Sequence, residues 1–200
     1  MSKLTRPTMP VNYEAQLAAL PAVCRIATDY VTTGINQHLF LIVDQLLPAV
    51  TALDSNGWYL EDITGMHVAD GFLLRYHFSR WDDSWRICLR LTVNAEQPSV
   101  PSIVQAISGA EWHERETTDF YGIAFIGNPN STPLLLAADQ VGLAPLRKEI
   151  AALKAATNML PDFQILSGPS DHPLRALLTD RARAAKEKIS QNNKIKATPV

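Results

Sequence analysis

Two runs of alternating side chains, separated by a short polar stretch, constrain the fold of this chain more than any other feature. Phe72, Leu74, Tyr76 and Phe78 share one face with Leu73, Arg75 and His77 opposite; Trp85, Ile87, Leu89, Leu91 and Val93 repeat the pattern against Arg86, Cys88, Arg90 and Thr92. A period of two is that of a strand, so both runs predict strands. Arg80-Trp81-Asp82-Asp83-Ser84 has the length and polarity of a hairpin loop, which makes the pair antiparallel. A preceding strand over Trp58 to Ile63 brings the sheet to at least three strands. One face of this sheet is apolar and the other polar or mixed, the pattern of a sheet covered by helices on one side.

Around this centre the sequence reads as an α+β domain over 12–150, preceded by a polar, proline-containing arm over 1–11 and followed by an extension over 151–200. A helix is predicted from about Asn12, with Glu14 in its first turn. The segment from Cys24 to Tyr30 is compatible with helix or strand. His38 to Val43 reads as a strand, and Asp44 after it is placed to cap a helix over Leu46, Leu47, Val50 and Leu53 that stops near Asn56-Gly57. The fold class expected is therefore an antiparallel sheet with helices packed on one face, then an extended and helical C-terminal tail. In that tail Leu174, Leu177 and Leu178 fall together at helical spacing, with Arg175, Arg181, Arg183, Lys186 and Lys188 around them. Such a basic amphipathic helix is either solvated or a docking arm for an acidic partner. RNA binding competes with docking, but no aromatic RNP or GXXG motif accompanies the charges.

Several functions are excluded by what the sequence lacks. A formal charge of −2 gives no general attraction for nucleic acid or anionic membrane. Cys24 and Cys88 show no CxxC or Cys/His spacing, so no cluster or zinc site is expected within the chain, and both are read as small buried residues. The histidines have no HExxH-like spacing, and GxGxxG, P-loop and GxSxG patterns are missing. No secretion signal is read at the N-terminus, and the apolar runs fall short of the roughly 20 residues that span a bilayer. Cytoplasmic location is expected, with membrane contact only through partners.

The segment Ser108 to Gly122 concentrates charge. Ser108 and Glu111 stand at capping-box spacing, Glu111 and Arg115 are four apart with the acid first, and Gly122 fits a C-terminal cap. The short helix so defined carries Glu114, Arg115, Glu116 and Asp119 beside Trp112, Phe120 and Tyr121. These residues allow two readings. Paired carboxylates at Glu114, Glu116 or Asp119 could divide acid and base roles, with His113 as proton carrier. Alternatively Arg115 is held between Glu111 and Asp119 on one stripe while the aromatics pack.

The stretch ERETTDFYGIAF, residues 114–125, resembles the signature of the complex I 30-kDa subunit family of NADH-quinone oxidoreductases, which includes a related subunit of membrane-bound nickel–iron hydrogenases. The PSVPS element at 98–102, the Gly-Asn-Pro-Asn turn at 127–130 and Pro145-Leu-Arg-Lys148 follow in the same order, and the similarity extends over roughly residues 35–149. Asn128-Pro129 stands where most members have His-Pro, and Thr132-Pro133 where they commonly carry two basic residues. The resemblance implies a non-catalytic subunit that scaffolds the large subunit of a complex I or hydrogenase type, beside iron–sulfur subunits, on the peripheral face of the inner membrane. It implies no cofactor in this chain, with iron–sulfur clusters and a flavin or nickel–iron centre in its partners. Glu114, Arg115, Glu116, Asp119, Tyr121 and Gly122, with Arg147 and Lys148, are the residues expected at the partner interface.

Overall fold

The structure, a computed structural model, describes residues 11–168 and 172–196, with side chains for 12–168 and 172–184. All of the predicted N-terminal arm but Val11, and the side chains of Lys186 and Lys188, lie outside the described residues. Strands β1 (Cys24–Thr28), β2 (Gln37–Phe40), β3 (Tyr59–Val68), β4 (Gly71–Ser79) and β5 (Arg86–Val93) join β8 (Phe163–Ser167) in one sheet of order β3-β4-β5-β2-β1-β8. A small parallel pair, β6 (Ser99–Pro101) and β7 (Ala124–Ile126), stands apart from it.

The alternating runs form β4 and β5 as expected, antiparallel, with Phe78 opposite Ile87 and Phe72 opposite Val93. At the hairpin tip Trp81 is exposed but stacks on Tyr59, ring centroids 4.1 Å apart, while Trp85 is buried and Asp83 accepts a hydrogen bond from the Tyr13 hydroxyl at 2.6 Å. The ambiguous segment at Cys24 is a strand. Asp29 then caps α2 (Tyr30–Thr33), a single turn that ends at Gly34 with φ 71°. Of the interstrand pairings in this sheet only β2–β5 is parallel, with Phe40 opposite Arg90.

On one face of the sheet, α1 (Val11–Ala19), α3 (Leu46–Ser55) and α4 (Ala110–Tyr121) cover a continuous core. Leu17, Leu46, Val50 and Leu53 meet Trp58, Phe72, Leu74, Tyr76, Phe78 and Leu89 there. The expected Asp44 cap is not formed. Asp44 sits inside a 3₁₀ turn over Val43–Gln45, and the backbone N–H of Ile42 donates instead to the Gln45 side chain at 3.1 Å. The chain leaves β2 too tightly for Asp44 to stand ahead of the helix.

The other face carries a second, smaller apolar cluster of Cys24, Ile26, Phe40, Leu160 and Leu178. Leu178 belongs to α5 (Pro173–Lys196), so the basic tail helix packs on this face through Leu174 and Leu178 and leaves Leu177 exposed. Cys24 and Cys88 are free and buried. On the outer edge β8 pairs with β1, where the buried Arg25 donates from Nε to Ser167 Oγ at 3.1 Å and pairs with Glu14 at 2.6 Å.

Close approach sets where α4 sits. A methyl group at Gly65 of β3 would lie 2.7 Å from the ring of Tyr121 and 3.2 Å from Thr117. Gly65→Ala is therefore expected to cost about 1–3 kcal/mol by overpacking. Gly109, at the start of α4 with nothing within 4 Å, should accept alanine with a change of no more than about 0.5 kcal/mol. Urea denaturation of the two variants measures the contrast; equal stabilities would mean that α4 does not rest on β3 as described.

Candidate functional site

The charged helix predicted from the sequence is α4, capped at its C-terminus by Gly122 at φ 68°, whose N–H donates to the Thr118 carbonyl at 2.8 Å. The capping box expected at its start is not formed. Gly109 is the N-cap, Ser108 offers only its carbonyl to Glu111 N–H at 3.3 Å, and the Glu111 carboxylate turns to Arg115 and Asn130.

Each charge of the Glu-Arg-Glu-x-x-Asp stretch has a distinct position. Glu114 is completely buried. Its carboxylate accepts from the Ser102 hydroxyl at 2.7 Å, the Ile103 backbone N–H at 2.8 Å and the Asn128 amide at 2.8 Å. The expectation that Glu114 faces a partner is therefore corrected: its carboxylate is enclosed within this chain. Burial pushes the Glu114 carboxyl above its ordinary range, against the pull of those three donors.

Arg115 does pair with Glu111, at 3.3 Å, but not with Asp119. Its remaining N–H groups donate to the carbonyls of Thr132 and Pro133 and to the Thr132 hydroxyl, at 2.9–3.2 Å. Asp119 is nearly buried, and one of its oxygens accepts the backbone N–H groups of Leu134, Leu135 and Leu136 at 2.9, 2.7 and 3.1 Å. Such successive amides converging on one oxygen form a nest, which a carboxylate fills well. The stripe reading fails because the returning chain supplies amides that compete successfully for Asp119.

Glu116 is exposed on the outer side of α4. Half-buried Tyr121 packs edge-on to Phe72, with ring centroids 6.1 Å apart, and its carbonyl accepts from Arg147 Nε at 2.9 Å. The Arg147 guanidinium stands over the Phe72 ring and against Gly122, where a methyl group would come within 2.8 Å of it. Lys148 is exposed, and its backbone N–H donates to His67 Nδ1 at 3.0 Å. The structure thus brings Tyr121, Gly122, Arg147 and Lys148 together at the C-terminal end of α4, with Glu116 on its open side.

Sequence reasoning missed the surface that these contacts display. The segment held by Arg115 and Asp119 runs on through Leu135, Val141, Leu143, Leu146 and Ile150, all exposed, Leu143 at 66% and Ile150 at 86%. Trp112 adds another exposed ring, on α4 itself. A groove of about 340 Å³ opens beside this run, lined by Arg115, Asp119, Phe125, Thr132 and Val141 among others. Its exposure was not readable, because apolar runs such as PLLLAA ordinarily signal burial. Among the described residues no group of three or more His, Cys, Asp or Glu is placed to hold a metal ion.

Residues 41–155 match the family described as respiratory-chain NADH dehydrogenase, 30 Kd subunit. A subunit of the NADH-quinone oxidoreductase of Roseiflexus castenholzii is 38% identical over 95 residues, covering 46% of this chain and 54% of that protein. A subunit of the F(420)H(2) dehydrogenase of Methanosarcina mazei is 36% identical over 74 residues, 37% of this chain and 47% of the relative. The chain thus spans about half the length of the curated relatives it matches. A polypeptide of the membrane-bound sulfane sulfur reductase, an archaeal respiratory membrane complex, shares the fold with a TM-score of 0.52 at 20% identity, over 56% of this chain and 69% of that one.

Glu114 yields a test of the buried clamp. Glu114→Gln would replace one accepting oxygen by an amide N–H₂, set against either the Ile103 N–H or the Ser102 and Asn128 donors, and is expected to destabilise the protein by about 1–3 kcal/mol. With a folded-state pKa above the ordinary 4.5, the native state binds more protons than the unfolded state, so this group's contribution to stability is greatest below 4.5 and is lost as pH rises through the raised value. The stability gap between the native protein and Glu114→Gln should therefore be wider near pH 4.5 than at pH 7.5 in urea titrations. A gap that widens with rising pH would contradict the raised pKa.

Proposed function

This chain belongs to the respiratory-chain NADH dehydrogenase 30 Kd subunit family, and from that premise we propose that it is a non-catalytic peripheral-arm subunit of a multisubunit, membrane-associated electron-transfer oxidoreductase. Its task is to hold a redox-bearing large subunit of the complex I or hydrogenase type, and iron–sulfur subunits, in electron-transfer geometry. The clusters, and the flavin or nickel–iron centre, then belong to those partners, and so does contact with the membrane. No helix among the described residues is long and apolar enough to cross a bilayer.

The observation that carries this reading is the set of exposed apolar side chains from Leu135 to Ile150, on a segment whose start, at 132–136, is held by Arg115 and Asp119 of α4. Large apolar side chains exposed in such number on one segment, with the exposed charges of Arg147 and Lys148 among them, are characteristic of a surface that meets another protein. Acid–base catalysis by Glu114 finds no support, since its carboxylate is sealed and engaged by three donors. The relatives' names also favour scaffolding. One names NADH and the other F(420)H(2), so the choice of electron donor does not follow this subunit.

The double variant Leu143→Asp/Ile150→Asp tests the face. Both side chains are exposed, so thermal unfolding of the isolated protein should change by no more than about 1 kcal/mol in stability. Recovery of cluster-bearing subunits with the tagged protein, at native salt, should fall at least about tenfold, the effect of losing about 1.4 kcal/mol of binding. Undiminished recovery would show that this face is not the interface, and stoichiometric flavin or metal in the purified polypeptide alone would contradict a non-catalytic role.

A further inference from the structure

The face of the sheet turned away from α4 holds a charge that the proposed role does not use. Arg90, on the central strand β5, is 2% exposed, and its Nε and Nη2 have no hydrogen-bond partner among the described residues. Both ring nitrogens of His38, on the adjacent strand, are likewise buried without a partner. Burial, with Arg75 and Arg181 nearby, lowers Arg90 to about 10, which leaves it charged at neutral pH. A guanidinium enclosed in this way is costly to keep unless an anion answers it.

Arg90 lines a cavity of about 340 Å³, at the small end of the range for small-molecule sites. Apolar side chains, among them Phe40, Leu73, Leu91 and Leu174, form most of the lining, while Thr92, Thr157 and His172 add polar groups. The Arg90 guanidinium carbon lies 5.8 Å from the centre of the Phe40 ring. One buried cation beside apolar walls matches a ligand with one negative charge and an apolar body. A single carboxylate matches the charge of one guanidinium, and these walls offer little to solvate a phosphate dianion.

We propose that this cavity binds a small amphiphilic carboxylate, its head on Arg90 and its hydrocarbon body against Phe40, Leu73, Leu91 and Leu174. The site is distinct from the surface displayed by α4, and it does not depend on assembly with other subunits. Because Leu174 and His172 come from the start of α5 and its approach, an occupied cavity also fastens the C-terminal helix to the sheet.

The test is calorimetric titration of the full-length protein with octanoate, beside octanol and inorganic phosphate at matched ionic strength, together with hydrogen exchange of residues 173–181. Saturable one-to-one binding of octanoate, slower exchange in α5, and affinity lowered at least tenfold by Arg90→Met are the expected results. Leu174→Trp, which fills the cavity and leaves Arg90 in place, should also abolish binding, and it decides the matter if Arg90→Met does not fold. Octanol binding as well as octanoate, phosphate binding in place of octanoate, octanoate binding untouched by both variants, or no saturable binding would each overturn the proposal.

Discussion

The carboxylate of Glu114 is the contact on which the geometry of this face depends. It joins three parts of the chain that no local rule would bring together: α4 itself, the Ser102-Ile103 step after β6, and Asn128 just past β7. The three donors offset part of the cost of burying that carboxylate and tie distant segments to it, whereas the Glu111–Arg115 ion pair joins only neighbours on one helix. Glu114 therefore outweighs the more conspicuous Glu111–Arg115 pair in deciding where α4 lies. Once the helix is fixed, Arg115 and Asp119 each meet the next stretch of backbone, at 132–133 and 134–136, and shape the path along which the apolar side chains stand exposed. Of the signature's charges, Glu114, Arg115 and Asp119 act inward, and Glu116 stays exposed.

Much of the fold was legible because its signals are local. The hairpin from Phe72 to Val93 follows from alternation and a short polar loop, and the end of α4 follows from Gly122. The parallel joint of β2 to β5 was not legible, since it pairs segments about fifty residues apart whose patterns carry no mark of each other. The caps at Asp44 and Ser108 failed for a related reason. Correct spacing makes a cap available, but the path of the incoming backbone decides whether it forms.

The site divides in the same way. Resemblance to a family located the segment, and the i,i+4 rule found the Glu111–Arg115 pair correctly. The rule names neighbours that can meet on a helix; it does not name competitors that arrive from elsewhere, and Asp119 is filled by amides fifteen to seventeen residues downstream. The neutral side chains of Asn128 and Thr132 both work within the chain, one on Glu114 and the other on Arg115. Their neutrality suits that inward use.

The edge of the sheet imposes an order of events in time. β1 is synthesised well before its outer partner β8, with Arg25 and Ser167 separated by 142 residues. The hairpins over β3, β4 and β5 close through near neighbours and can form early, whereas β1 presents an unpaired backbone edge until β8 leaves the ribosome. Such an edge is a template for pairing with other polypeptides. Slow translation, or a break between β7 and β8, would therefore show itself first as aggregation through β1, before any loss of the contacts around α4.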